Sequence, residues 1–93
     1  MKNYRLEDLE TYQLSMKLAD EIRNDVMKWS FLELDTIGKQ NIRSSDSITA
    51  NIAEGYGRFH FKDNKKFCFY SRGSILETKT WLIKAKNRKL MHT

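Results

Sequence analysis

The sequence predicts an all-α fold in which three long helices form one bundle domain over residues 1–93. The 93-residue chain contains no proline and only four glycines, so few positions interrupt a helix. Its composition, 40% hydrophobic and 31% charged, is typical of a folded helical protein rather than a disordered one. Apolar residues recur at steps of three and four, which is the spacing of one helix face. A domain of this size buries a small core, so self-association would add stability.

The first helix is predicted over residues 8–29. Asp8 is expected to cap its N-terminus, because an aspartate side chain accepts hydrogen bonds from the free N–H groups of a first turn. The apolar face of this helix comprises Leu9, Tyr12, Met16, Ala19, Ile22, Val26 and Trp29, and it is widened by Leu14 and Leu18.

The second helix is predicted over residues 35–55, after a turn at 30–34, with Asp35 as its N-cap. We expect Gly55 and Gly57 to end it, with a glycine in the left-handed conformation as the C-cap. This helix has few aliphatic residues. Polar residues occupy positions that a buried helix normally gives to aliphatic ones: Asn41, Ser44, Ser45, Asp46 and Ser47.

The third helix is predicted over residues 63–90, with Asp63 as its N-cap after a loop at 56–62. It carries two apolar stripes, and a helix of a simple monomeric bundle needs only one. The second stripe therefore meets either another helix of the same chain or another subunit. The first stripe contains Phe67, Tyr70, Ser74, Thr78, Trp81 and Ala85. The second, which we call the seam stripe, contains Phe69, Leu76, Ile83 and Leu90.

Charge divides the chain into two unequal halves. Residues 1–47 contain seven basic and nine acidic side chains, whereas residues 48–93 contain ten basic and three acidic ones. The excess indicates an anionic partner such as nucleic acid or an acidic protein surface, or else a lysine-rich face that only meets solvent. The candidate nucleic-acid-binding residues, which we call the basic face, are Arg58, Lys62, Lys65, Lys66, Arg72, Lys79, Lys84, Lys86, Arg88 and Lys89.

No pattern of catalytic or metal-ligating residues is apparent. His60, His92 and Cys68 are scattered along the chain, and no glycine-rich phosphate loop is present. We therefore expect no enzymatic activity, no metal, no cofactor and no small-molecule substrate. The single cysteine, and the lack of a signal peptide or a membrane-spanning apolar run, indicate a cytoplasmic protein.

Two carboxylates of the basic half, Glu54 and Glu77, lie in stretches of apolar or small residues. A buried carboxylate needs a partner. One interpretation is a polar clasp between the second and third helices, in which Asn51, Glu54, Ser74 and Glu77 satisfy one another. The candidate partners of the two carboxylates are Arg58, Arg72, Ser74 and Thr78. The alternative is an acid/base pair.

Two blocks of the chain carry a family resemblance. Residues 47–58, with the run Asn-Ile-Ala-Glu-Gly followed by Gly-Arg, resemble the signature of the 23S rRNA intervening-sequence proteins, a four-helix-bundle family. The run Arg-Gly-Ser-Ile-Leu-Glu-Thr at 72–78 resembles the second block of that family. The matching positions, which the resemblance implies are structural, are Ser47, Asn51, Glu54, Gly55, Gly57, Arg58, Arg72, Gly73, Ser74, Glu77 and Thr78.

The resemblance implies an antiparallel up-and-down bundle in a bacterial, non-catalytic protein. It also implies a homo-oligomer, with a pentamer favoured. A relative, the accessory variability determinant of retroelements, binds a reverse transcriptase and nucleic acid, so RNA or a ribonucleoprotein is an expected partner. Gly73 is expected to permit close helix approach. The chain departs from the family at Asn41, Asp46 and Thr49, and because the family's fourth helix is missing or truncated, an open apolar groove is expected. Either another chain fills this groove or the chain is a truncated product.

Overall fold

The computed structural model describes residues 5–58 and 60–91, and every regular element within them is helical. This confirms the predicted fold class. We name the three long helices α1, α2 and α3. A short 3-10 turn, Leu6–Asp8, precedes α1, which spans Glu10–Val26. The second helix, α2, is continuous and consists of Phe31–Glu33, the π-helical stretch Leu34–Gly38, and Lys39–Tyr56. The third helix, α3, spans Phe61–Asn87.

The predicted ends of α1 are wrong by a few residues. The helix begins at Glu10 after Leu9 as the N-cap, and it ends at Val26 rather than at residue 29. Asp8 does not cap it, because this residue belongs to the preceding 3-10 turn. There its carboxylate accepts a hydrogen bond from the backbone N–H of Arg5 at 3.4 Å.

The predicted start of α2 is also wrong, since the stretch assigned to a turn is helical. Ser30 is the N-cap, and its hydroxyl oxygen accepts a hydrogen bond from the backbone N–H of Glu33 at 3.4 Å. Asp35 lies inside the π-helical stretch. A serine three residues before a glutamate is the pattern of a capping box, so this helix start was readable from the sequence.

The second helix ends at Gly57, as predicted, but without the expected left-handed glycine. Gly57 is the C-cap with φ −78°, and no glycine among the described residues has a positive φ. Gly55 is buried within the last turn, and a Cβ built on it would lie 3.1 Å from Cβ of Phe67. Gly55 therefore lets α3 approach α2 closely. Gly73, which was expected to do so, has open space around its Cα.

The third helix runs from Phe61 to Asn87 rather than over 63–90, and His60 rather than Asp63 is its N-cap. It ends in a Schellman motif: the N–H of Leu90 donates to the carbonyl of Ala85, and the N–H of Lys89 to that of Lys86, both at 2.9 Å. Lys89 has φ 60°, a left-handed conformation that glycine adopts without strain.

The packing places α2 at the centre. Both α1 and α3 pack along α2, whereas they make almost no contact with each other. Short connections make consecutive helices antiparallel, so α1 and α3 run in the same direction. The buried apolar core is small and comprises Ala19, Ile22, Val26, Ile37, Ile48 and Ala85.

Small polar residues fill much of the remaining interior. The hydroxyl of Ser44 donates to the carbonyl of Asn41 and lies 2.9 Å from the hydroxyl of Thr78 on α3. Ser71 on α3 donates to the carbonyl of Ile48 at 3.4 Å. Because serine and threonine can bond to helix carbonyls, they can be buried without leaving a donor unpaired. This accounts for the scarcity of aliphatic residues in α2.

Candidate nucleic-acid interface

All ten residues of the basic face are exposed, and the structure aligns them along one helix. Seven lie on α3, Arg58 precedes that helix, and Arg88 and Lys89 follow it. α3 contains seven basic and two acidic residues, a net charge of +5. At about 1.5 Å per residue this helix presents its charge over roughly 40 Å.

The cations of α3 fall into two groups on the helix surface. Arg72, Lys79 and Lys86 follow one another at steps of seven, which places them along one edge. We call them the groove-edge cations. Lys62, Lys66 and Lys84 lie further around the helix, away from α2, and we call them the outer cations. Lys65 lies one more step of seven before Arg72, in line with the groove-edge cations. The basic face is therefore two strips rather than a uniform patch.

Aromatic rings accompany several of these cations. The Nζ atom of Lys65 lies 5.9 Å from the ring centre of Phe69, and that of Lys66 lies 5.8 Å from the ring centre of Tyr70. The Nζ atom of Lys84 lies 5.0 Å from the ring centre of Trp81. Phe69 and Tyr70 are exposed. Exposed rings beside cations can stack on unpaired bases while the cations contact phosphates.

Arg58 differs from the other cations because it is already paired. Its guanidinium donates to Glu54 at 3.1 Å, one helical turn back, and lies 4.9 Å from the ring centre of Phe67. Its carboxylate partner reduces the positive charge at this end of the basic face.

Of the partners predicted for the two carboxylates, Glu54 has one, Arg58, whereas the clasp between Asn51, Glu54, Ser74 and Glu77 is wrong. Glu77 accepts hydrogen bonds from Arg43 of α2 and from the indole N–H of Trp81, the latter at 3.2 Å. Asn51 donates to the carbonyl of Ser47, one turn back on its own helix, at 2.9 Å. Glu54 pairs with Arg58, and the carbonyl of Ser74 accepts from Thr78.

Arg43 is the residue that the sequence reasoning missed. It donates to Gln40 at 3.0 Å as well as to Glu77, so it links α2 to α3. The sequence alone favoured another partner, because Asp46 follows Arg43 at the helical spacing of three.

An open apolar groove runs between α1 and α3, as expected, and α2 forms its floor. It contains two adjoining cavities of about 580 and 400 Å³, which share Leu18, Ile48 and Ile75 as lining residues. The groove-edge cations line its α3 side.

A sequence model of 23S rRNA-intervening sequence proteins matches residues 7–93. The chain belongs to the 23S rRNA-intervening sequence protein family. This confirms the resemblance of the two signature blocks. A comparison with curated proteins gives no match.

The two signature blocks of this intervening-sequence protein lie on neighbouring helices but are offset along them. The first lies in the C-terminal part of α2 and the second in the middle of α3. Ile48 and Gly55 of the first block meet Ser71 and Phe67, which precede the second block. Glu77 and Thr78 of the second block meet Arg43 and Ser44, which precede the first. Both blocks thus contribute to the α2–α3 interface without facing each other.

The seam stripe lies on the side of α3 that points away from α2. Phe69 and Leu76 are each 56% exposed and Ile83 is 49% exposed, while Leu90 is half-buried. In the intervening-sequence protein this stripe runs between the outer cations and the groove-edge cations.

His60 and Cys68 are not part of a metal-binding cluster among the described residues. Within residues 5–58 and 60–91, no three His, Cys, Asp or Glu side chains are arranged to hold a metal ion. Cys68 is exposed and its Sγ lies 3.8 Å from Oδ1 of Asn64. His92 lies outside the described residues. None of the described helices combines the length and the apolar character needed to cross a membrane.

Proposed function

We propose that this intervening-sequence protein is a non-catalytic accessory or scaffold protein that binds RNA through its basic face. The observation that carries the proposal is the row of lysines beside exposed aromatic rings on the outward side of α3. We place its action in the bacterial cytoplasm, because that compartment holds the cellular RNA.

Phosphate contacts are the expected source of affinity. Lysines that neutralise phosphates release counterions, so binding falls steeply as salt rises. Phe69 and Tyr70 add stacking on unpaired bases, which favours single-stranded RNA without selecting a sequence. The outer cations lie where neither α1 nor α2 covers them.

The test is fluorescence anisotropy with an unstructured RNA of about 20 nucleotides, at 50 and 200 mM salt. We expect binding at the lower salt and a loss of at least about tenfold at the higher. The triple variant Lys62→Glu, Lys65→Glu, Lys66→Glu should bind at least tenfold more weakly.

A control with the same change in net charge is Lys17→Glu, Arg23→Glu, Lys28→Glu, in which three exposed basic residues of the α1 region are reversed. This control should retain affinity within about threefold, because α1 carries no basic strip. Absence of binding at 50 mM salt, or an equal loss in both variants, would exclude the basic face as the binding surface.

A second proposal is a homo-oligomer or protein-docking module that binds no nucleic acid. It is favoured by the exposure of the seam stripe, and the family resemblance favours a pentamer. Leu76→Asp should then dissociate the assembly, as measured by light scattering coupled to size exclusion. Leu32→Asp, the same change at an exposed leucine of α2, should leave it intact.

A further inference from the structure

Two aromatic rings and two of the outer cations lie on a strip of α3 that points away from the groove. Together with Glu77 they follow one another at steps of four, seven, four and three, which keeps them on one side of the helix. None of the five residues lines either cavity of the groove. We call this set the back strip, and its residues are Lys66, Tyr70, Glu77, Trp81 and Lys84.

At one end of the back strip, Arg43 of α2 lies beside Trp81. Both donate to the same carboxylate oxygen, Oε2 of Glu77, and the indole N–H does so at 3.2 Å. Arg43 is exposed and also donates to Gln40, whereas Trp81 is half-buried. A guanidinium held in this way has N–H groups left for a phosphate, and its plane can stack on a base.

At the other end of the back strip, Arg58 and Lys66 lie beside a pair of rings. The rings of Phe67 and Tyr70 meet edge-on, with 5.5 Å between their centres. Arg58 contacts the first ring and Lys66 the second. Tyr70 is 46% exposed, so its ring is held by its neighbours and remains accessible, as stacking on a base requires.

The back strip together with Arg43, Glu54 and Arg58 forms a surface across α2 and α3, which we call the back face. It carries four basic and two acidic side chains, a net charge of +2. Each carboxylate is bonded to an arginine, so Lys66 and Lys84 provide an excess of positive charge beside the rings. Cations beside accessible rings suit an unpaired strand, because it offers both phosphates and bases.

The spacing of the two rings sets the length of strand that can contact both. Tyr70 and Trp81 are eleven residues apart, which is about 16 Å along a helix. A strand whose stacked bases rise by about 3.4 Å covers this distance in about four to five nucleotides. Bases inside a duplex stack on one another, so the rings can receive only the bases of a single strand.

We propose that the back face holds a segment of single-stranded RNA. One base stacks on Tyr70 and another on Trp81, while Arg43, Lys66 and Lys84 contact phosphates. This inference rests on the proposed function and deepens it. It brings Arg43, which lies outside the basic face, into the binding surface, and it directs the strand along the side of α3 that lies away from the groove.

The test of the stacking contact is the fluorescence anisotropy assay at 50 mM salt, with the same unstructured RNA. Tyr70→Leu should bind at least about fivefold more weakly, because it removes a ring on which a base stacks. Tyr56→Leu is the matched control, since Tyr56 is exposed to a similar extent, 41%, but lines the groove. This control should leave the affinity unchanged.

The test of the contact on α2 is Arg43→Gln in the same assay. The loss of one phosphate contact should lower the affinity and reduce the slope of log affinity against log salt by about one. Arg23→Gln makes the same change at an exposed arginine of α1 and should alter neither quantity. Circular dichroism establishes that each variant is folded.

Tryptophan fluorescence gives an independent signal, because a base stacked on an indole quenches its emission. The chain has two tryptophans, Trp29 and Trp81. RNA should quench the emission of Trp29→Phe, which retains the indole of the back face. The same RNA should leave the emission of Trp81→Phe unchanged.

Two results would overturn the inference, and they differ in what they mean for the proposed function. In the first, the wild-type chain binds RNA, Tyr70→Leu and Arg43→Gln bind as their controls do, and Trp81 is not quenched. The strand then lies elsewhere on the basic face, and the proposed function stands. In the second, the wild-type chain binds no RNA at 50 mM salt, and both proposals fail.

Discussion

The interior between α2 and α3 and the groove between α1 and α3 have opposite chemistry. Small polar residues such as Ser44, Ser71 and Thr78 are buried in the interior, whereas leucines and isoleucines lie exposed in the groove. Serine and threonine let helices approach closely and bond to nearby hydroxyls and carbonyls. Large apolar groups gain free energy only where something covers them. The groove therefore has the composition of an interface, and the interior has that of a close helix contact.

The largest expected effect comes from adding a methyl group where helices meet closely. A Cβ on buried Gly38 would lie 2.7 Å from Cγ1 of Val26, so Gly38→Ala forces the α1–α2 contact apart. We expect it to lower the free energy of unfolding by about 2 kcal/mol, as overpacking of a core does. The measurement is urea denaturation followed by circular dichroism.

Gly73→Ala is the matched control for that change. Gly73 is exposed, and no atom outside its own helical turn lies within 4 Å of its added Cβ. Alanine favours a helix over glycine by about 1 kcal/mol, so this variant should be more stable than the wild type. If Gly38→Ala raised the free energy of unfolding as Gly73→Ala does, close approach at Gly38 would not limit the packing of α1 against α2.

A smaller effect tests the polar interior. Thr78→Val keeps the shape of the side chain and removes the hydroxyl that meets Ser44 and the carbonyl of Ser74. We expect a loss of about 1–2 kcal/mol, because buried polar groups lose a partner. Thr80→Val removes a hydroxyl bonded to the carbonyl of Leu76 on the exposed side of α3, and it should change stability by less than about 0.5 kcal/mol. Equal effects would contradict a special role for the buried hydroxyls.

The end of α3 offers a stabilising change of similar size. Lys89 adopts the left-handed conformation that closes the Schellman motif. Lys89→Gly removes the conflict between Cβ and the backbone, and should raise the free energy of unfolding by about 1 kcal/mol. Lys86→Gly, inside the last turn, should instead be destabilising by about 1 kcal/mol. Thermal denaturation of the two variants distinguishes these outcomes.

The smallest expected effect is in the groove. Leu14→Gln replaces an exposed leucine with another good helix former, so the stability of the isolated chain should change by less than about 0.5 kcal/mol. Urea denaturation of the chain with and without this change, at low micromolar concentration, measures it. A loss above 2 kcal/mol would show that Leu14 belongs to the core of the single chain.

Some features of the candidate nucleic-acid interface could be predicted from the sequence, and others could not. The exposure of the basic face followed from the length and charge of lysine and arginine side chains. The partners of Glu77 did not, because Arg43 lies 34 positions away in the sequence and meets it only through packing. The role expected of Gly73 belongs to Gly55, since which glycine faces another helix depends on the rotation of each helix about its axis.

The sequence by itself determined that the chain is helical, where its helices lie to within a few residues, which family it resembles and where its positive charge is concentrated. These properties depend on local spacing, capping residues and composition. Only the tertiary structure decided that serine, threonine and asparagine would be buried while leucines remain exposed, and that cations of α3 would line one apolar groove. Burial depends on which helix lies beside which, and that arrangement is set by contacts between residues far apart in the chain.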